Sequence, residues 1–374
     1  MKVDFYISSL SSGGAEHVLT NLAANFAEHG MDVSITSYEK RPQFYEVASN
    51  VKLNKYNFTN KNKLAEWFCD FRATKKHLRE RTADVAISFL SRCNFMLILA
   101  GLFSKTKIIV CDRNNLLRKY PKYVFDMTCF LYRFADIVCV QTNEMKAFYP
   151  HYLQNKIVVL ENPLDFDEMA AQCEGHNPKK ENTVISVGRL EKQKDFVTLI
   201  KAYKKVAKLY PNWKLKIFGQ GNRKDELQSL IEQENLTQNV KLCGVTHSPF
   251  FEMKKAKIFV LSSFYEGFPN VLCEAMHAGL PCISTKCECG PSELIDNEKN
   301  GFLVQIGNID QMAEKIIVMI ENENLRNTIG EEAEKSTKRL SREVICKKWR
   351  ELVYRVSCAG ASPVWPLALG SVLA

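Results

Sequence analysis

The sequence predicts an α/β protein: two doubly wound parallel sheets facing each other across a cleft. Three observations predict it. Short apolar strands alternate with longer amphipathic helices, which implies parallel pairing through right-handed crossovers. A chain of 374 residues is too long for one typical core and suits two of roughly 150–200 residues. The strand–helix logic also starts twice, with the polar stretch 174–182 between the two runs.

In the first run a strand is expected over Val3–Ile7, then a small-residue loop from Ser8 to Gly14. Val18, Leu19, Leu22, Ala23 and Phe26 form one stripe at helical spacing, and Gly30 is placed to end that helix. Further strands are expected over Asp32–Tyr38, Asp84–Phe89, Lys107–Cys111, Ile137–Gln141 and Lys156–Leu160, with a buried helix over the apolar run 95–103. In the second run strands are expected over Thr183–Val187, Lys214–Phe218, Val240–Leu242, Ile258–Leu261, Cys282–Thr285 and Phe302–Gln305, with helices over Phe196–Leu209 and Arg223–Glu234 between them. The expected domains are 1–165 and 166–340. A polar helix over 341–355, carrying Trp349, Leu352 and Val353, returns to the first. Residues 356–374 contain no charge but hold Pro363 and Pro366, and are expected to be a disordered or non-native tail.

Composition excludes several classes. Hydrophobic residues at 46% and charged residues at 25% are ordinary for a globular protein. The thirteen Cys lack any Cys-x-x-Cys spacing, and Cys287 and Cys289 are too close to begin a zinc site; they are expected to be reduced thiols. No run reaches the ~18 apolar residues that span a bilayer, and no signal-peptide pattern opens the chain, so a cytoplasmic place is expected. The net charge is +9, and residues 1–165 hold 22 Lys+Arg against 16 Asp+Glu, a surplus of six. A basic first half suggests an anionic partner: lipid headgroups at the inner face of the cytoplasmic membrane, or a diphosphate-linked acceptor. No basic-aromatic motif supports nucleic acid.

The most informative stretch runs from Glu266 to Glu274. An apolar strand leads into Glu266, Pro269 can start a helix, and Glu274 should lie about one and a half turns inside it. Two carboxylates near the carboxyl end of a strand, where open α/β sheets bind ligands, suit a partner rich in hydroxyls, such as a sugar and a ribose. Arg189 and Lys194 follow the first strand of the second run; planar bidentate donors and a mobile point charge suit a diphosphate. Gly13 and Gly14, between first strand and first helix, let backbone approach a phosphate, though a plain turn explains them equally. Gly219 and Gly221 turn the chain after Phe218.

The segment with Gly267, Phe268, Pro269, Asn270 and Val271 between its two Glu closely resembles the Glu-x7-Glu signature of retaining glycosyltransferases of family 4, which have the GT-B fold of two Rossmann-like domains. Gly188, Arg189 and Lys194 resemble that family's Gly-Arg-x-x-x-x-Lys pattern, Gly219–Gly221 its Gly-x-Gly turn, and Gly290–Glu293 its Gly-Pro-x-Glu segment. The resemblance spans residues 1 to about 355. It implies a transferase using a nucleoside-diphosphate sugar. Arg189 and Lys194 would bind the diphosphate, Glu266 and the Gly267–Val271 amides the sugar, Glu274 the ribose, and Gly13 and Gly14 the donor phosphate side. Where many members carry a His, this chain has Asp112, Arg113 and Asn114, as in bacterial capsule and lipid-linked oligosaccharide transferases; with Arg118 these are the candidates for the acceptor. A solvated basic loop is the plain alternative. The implied acceptor is a glycan or a polyprenyl-diphosphate-linked sugar, in bacterial surface polysaccharide or glycan synthesis. Asp165-Phe166-Asp167 looks like a metal motif of another fold but falls at the inter-domain crossing, so no metal and no other cofactor is expected. The basic run Arg72, Lys75, Lys76, Arg79, Arg81 could dock an anionic membrane. The rival readings are a sugar-nucleotide epimerase of the same fold and a non-catalytic sugar-nucleotide-binding protein.

Overall fold

The structure is a computed structural model that describes residues 1–11, 13–38, 42–56, 58, 62–113 and 121–358. Thirteen described strands form two parallel sheets. The first contains β1 Lys2–Ile7, β2 Asp32–Ser37, β3 Lys52–Lys55, β4 Val85–Phe89, β5 Lys107–Cys111, β6 Ile137–Val140 and β7 Ile157–Val159. The second contains β8 Thr183–Val187, β9 Lys214–Phe218, β10 Val240–Gly244, β11 Ile258–Leu261, β12 Cys282–Thr285 and β13 Phe302–Val304. Their orders are β3-β2-β1-β4-β5-β6-β7 and β10-β9-β8-β11-β12-β13. In each sheet the chain begins centrally, winds to one edge, then crosses back and winds to the other. That reversal opens a crevice at the strands' carboxyl ends.

The apolar strands behave as a doubly covered sheet requires: Val3, Phe5 and Ile7 feed one core, and Tyr6 and Ala86 the core on the other face. The Val18–Phe26 stripe is fully buried on the Gly14–Glu28 helix, and Gly30 takes a left-handed φ of +78° just past its end. One strand was not expected. Lys52–Lys55 is polar and short, and pairs with β2 alone, in register Ser34 to Lys52. An edge strand needs only one hydrogen-bonding neighbour and little apolar surface, so nothing in its residue types separates it from a loop.

The Arg342–Cys358 helix returns to the first half, where Ile345, Cys346, Trp349, Val353 and Val356 complete its core. The expected uncharged tail from 356 is therefore corrected at its start: residues 356–358 are helical and Val356 is buried. Residues 359–374 lie outside the described residues. The passage between halves also precedes the polar stretch 174–182. Leu164 already bridges to Ser341, and the Phe166 ring stacks on His277 at 3.8 Å.

Candidate active site

Lys194 and Glu266 meet. The lysine Nζ donates to the Glu266 carboxylate at 2.7 Å, and both side chains are largely buried. Ser263, at the mouth of β11, donates its hydroxyl to the same oxygen at 2.5 Å. Local sequence explains the meeting. Asp195 takes a left-handed φ of +44° and caps the Phe196–Leu209 helix through Thr198, which fixes the turn carrying Lys194. Ser262 donates to the Lys194 carbonyl at 2.7 Å, tying that turn to the end of β11.

Glycines set the spacing around this pair. A Cβ on Gly188 would press on the Lys194 stem at 3.2 Å. One on Gly219 (φ +142°) would meet the Gly188 carbonyl oxygen at 1.9 Å, and one on Gly221 would meet that of Leu190 at 2.3 Å. The loops after β8 and β9 therefore stack backbone on backbone, which only glycine allows.

Arg189 is not drawn into the pair. Its guanidinium is solvent-exposed, 3.2 Å from Glu191 and 3.4 Å from Gln193. It stays on the same rim, because Gln193 in turn donates to the Tyr265 carbonyl at 2.8 Å, next to Glu266. Beside it is an open pocket of about 410 Å3 lined by Lys192, Gln193, Phe264, Tyr265 and Ile306.

Glu266, Gly267, Phe268 and Pro269 are buried, and Asn270 begins the Asn270–His277 helix, one residue later than a helix started by Pro269. This segment faces the first half. A Cβ on Gly14 would come within 3.0 Å of the Asn270 Nδ2, so the start of the Gly14–Glu28 helix lies against the segment. Val271 packs on the core beneath it.

Glu274, one turn into the helix, looks toward His17 and Glu168. Burial pushes its carboxyl up, His17 opposes that, and Glu168 adds to it. His17 Nε2 lies 2.8 Å from Glu168 and its ring stacks on Tyr45 at 5.0 Å. Burial disfavours the charged imidazole, but Glu168, Glu274 and Asp165 outweigh it and raise His17 above its ordinary value. His17 was missed in the sequence because its partner lies 151 residues away.

Of the expected acceptor residues, Asp112 and Arg113 are corrected. Asp112 is sealed in the first half, accepting from Tyr132 at 2.6 Å, Asn94 at 3.1 Å and the Tyr149 hydroxyl. Burial pushes its carboxyl up to about 6 against those bonds. Arg113 lies against the stacked rings of Phe89 (4.4 Å) and Trp349 (5.7 Å), and its charge is disfavoured by burial. The Asp112 carboxylate, enclosed by three donors, and the Arg113 guanidinium, set against two rings, are both buried in the first half. Asn114 and Arg118 lie outside the described residues.

Gly290–Glu293 also has another role. Gly290 (φ +113°) makes room for Pro269, whose Cδ a Cβ would meet at 2.4 Å. Glu293 reaches the first half, accepting from the Glu144 amide at 2.8 Å and Asn143 at 3.1 Å, while Glu144 accepts from the Cys289 amide at 2.6 Å. This bracket joins the halves. Asp165 caps the Phe166–Ala171 helix through the Glu168 amide. Of the basic run, Arg72, Lys76 and Arg79 face outward, while Arg81 turns in to bind Asp4 and Asp32.

Comparison with known proteins decides the family. Residues 12–168 match the family described as Glycosyltransferase Family 4, and residues 171–336 that described as Glycosyl transferases group 1. A Campylobacter jejuni protein, GalNAc-alpha-(1->4)-GalNAc-alpha-(1->3)-diNAcBac-PP-undecaprenol alpha-1,4-N-acetyl-D-galactosaminyltransferase, is 32% identical over 366 residues, covering 96% of this chain and 100% of its own. The chain belongs to the family 4 glycosyltransferases. A second C. jejuni relative of this transferase, N-acetylgalactosamine-N,N'-diacetylbacillosaminyl-diphospho-undecaprenol 4-alpha-N-acetylgalactosaminyltransferase, is 28% identical over 92% of the chain and 97% of its own. Among solved structures, Anabaena HepE in complex with UDP superposes with a TM-score of 0.77 at 19% identity, covering 95% of the transferase and 100% of HepE. The fold is GT-B.

Proposed function

We propose that this transferase moves a hexose or N-acetylhexosamine, with retention, from a UDP-sugar to a glycan or polyprenyl-diphosphate-linked acceptor in bacterial surface polysaccharide or glycan synthesis. The observation that carries the reading is the Lys194–Glu266 pair at the carboxyl end of the second sheet, with Gly14 of the first half set against Asn270 in the same segment. Breaking the glycosidic bond leaves negative charge on the donor's outer phosphate. Lys194, with Arg189 swinging in from the rim, would meet that charge, and a preplaced cation facing developing charge is commonly the largest catalytic contribution. Glu266 would orient the sugar, and Glu274 would take the ribose hydroxyls. The departing phosphate would accept the acceptor's proton on the same face, which preserves the anomeric configuration. Charge neutralisation by Arg189 and Lys194 makes a metal unnecessary in this scheme. Names of both C. jejuni relatives, which specify undecaprenol-linked acceptors, support a lipid-linked acceptor.

A lipid-linked acceptor requires contact with a membrane, yet among the described residues no helix is long and apolar enough to cross one. The helices on one face of the first sheet offer an alternative. Phe68, Phe103, Tyr123, Met127, Phe130 and Phe134 project from this layer into solvent, interleaved with Arg72, Lys76 and Arg133. Aromatic rings mixed with cations suit the headgroup region of an anionic bilayer. The test is transfer from UDP-GalNAc, UDP-GlcNAc, UDP-glucose or UDP-galactose to polyprenyl-diphosphate-linked saccharides, with the product's anomeric configuration read by NMR. A product of retained configuration is expected; donor epimerisation without any acceptor, or no turnover with nucleotide bound, would replace the proposal by one of the rival readings.

A further inference from the structure

A chain of amides, buried at Gln141 and Asn162 and half-buried at Asn270, joins the first half to the donor segment, and its polarity is set at one end. Arg113 can only donate hydrogen bonds. Its Nη1 donates to Asn162 Oδ1 at 2.5 Å, and Gln141 Nε2 donates to the same oxygen at 2.9 Å. With its oxygen so committed, Asn162 must turn its NH2 group the other way, and Nδ2 donates to Asn270 Oδ1 at 2.6 Å. Asn270 has then committed its own oxygen, which leaves its NH2 group facing Gly14, where a Cβ would come within 3.0 Å. Asn162 is 3% exposed and Gln141 2% exposed, so water cannot easily replace either partner.

We propose that Asn162 is a positioning residue for glycosyl transfer: it relays the donor-only character of Arg113 across the inter-domain crossing and holds Asn270 with its NH2 group turned to the Gly13–Gly14 loop. The proposal rests on the reading of Gly267–Val271 as the donor-sugar segment. Its consequence is directional. A donor placed where charge builds on the leaving group favours the reaction; an oxygen placed there opposes it. The relay also explains why Arg113 lies inward: it faces the amide chain, not the acceptor.

The test separates polarity from mere support. In Asn162→Asp the carboxylate still accepts from Arg113 and Gln141, but it has no hydrogen to give, so Asn270 must turn its oxygen toward Gly14. In Asn270→Asp the bond from Asn162 survives, and the NH2 group facing Gly14 is lost. Both variants are expected to lower turnover at least tenfold and by similar factors, with the Kd for UDP within twofold of the parent. The double variant N162D/N270A should be no slower than N270A alone. Hydrogen exchange, which needs no substrate, should show faster exchange across 266–271 in N162D and in Asn162→Ala. Parent-like turnover in N162D, losses in the double variant that multiply, or unchanged exchange in both Asn162 variants would overturn the relay. Failure of the parent to bind UDP would instead count against the donor proposal, and the exchange result would still decide the relay.

Discussion

Replacing Lys194 by Met removes a cation from a carboxylate that is only 5% exposed. Ser263 still donates to Glu266, but one hydroxyl does not neutralise a buried charge. Breaking a buried pair by deleting one member costs about 3–5 kcal/mol. For a half of this size, roughly 2–4 °C per kcal/mol, the melting temperature should fall by about 10 °C. Turnover should fall separately by about 10²–10³-fold, the effect of losing a group that stabilises transition-state charge. The variant Lys194→Met/Glu266→Gln distinguishes the two effects. It leaves no uncompensated charge, so most of the lost stability should return. Turnover should stay low, because the phosphate still lacks its cation. Thermal melts and initial transfer rates on the parent and the two variants give both answers. Recovery of stability and turnover together in the double variant would refute the reasoning and leave the pair a purely structural contact.

Asp112 should make stability depend on pH. Its folded-state value, about 6, lies above the ordinary ~3.9, so its contribution is fully present below about pH 4 and is lost as pH rises through 6. The loss amounts to about 2–3 kcal/mol, and Asp112→Asn should gain stability relative to the parent between pH 4 and pH 7 in denaturant melts. Glu274→Ala should mainly raise the donor KM; a pure fall in turnover would contradict a ribose role. Trp349→Ala should cost about 3–5 kcal/mol in melts, since the ring is fully buried and stacks on Phe89 at 6.4 Å. Chelation by EDTA should leave the transfer rate unchanged; abolition restored by a divalent cation would place a metal in the scheme.

Much of the fold was legible because most strands are buried on both faces and read as short apolar runs, such as Val85–Phe89 and Ile258–Leu261. Lys107–Cys111, Thr183–Val187, Lys214–Phe218, Ile258–Leu261 and Cys282–Thr285 have the expected bounds. Lys52–Lys55 was not legible, because an edge strand is defined by its neighbour. At the site, Glu266 and Lys194 could be singled out by residue type after a strand end, and the fold brings them together. What sequence could not give was anything resting on contacts between the halves. Glu293 could be placed in a Gly-Pro-x-Glu segment, but not its bond to the Glu144 amide, 149 residues away. Asp112 and Arg113 resembled an exposed basic loop because their burial depends on Tyr132, Tyr149, Phe89 and Trp349, none adjacent to them in the chain. Ser263 left a faint signal, a hydroxyl between an apolar strand and a Glu; Asn162 left none beyond its place at the crossing.

A crystal structure of the transferase with bound UDP-N-acetylgalactosamine addresses the central claim most directly. The diphosphate should lie within about 3 Å of Lys194 and of a reoriented Arg189, the sugar against Glu266 and the 268–271 amides, and the ribose on Glu274. A nucleotide seated in the first half, or one whose phosphates leave the Lys194–Glu266 pair untouched, would contradict it.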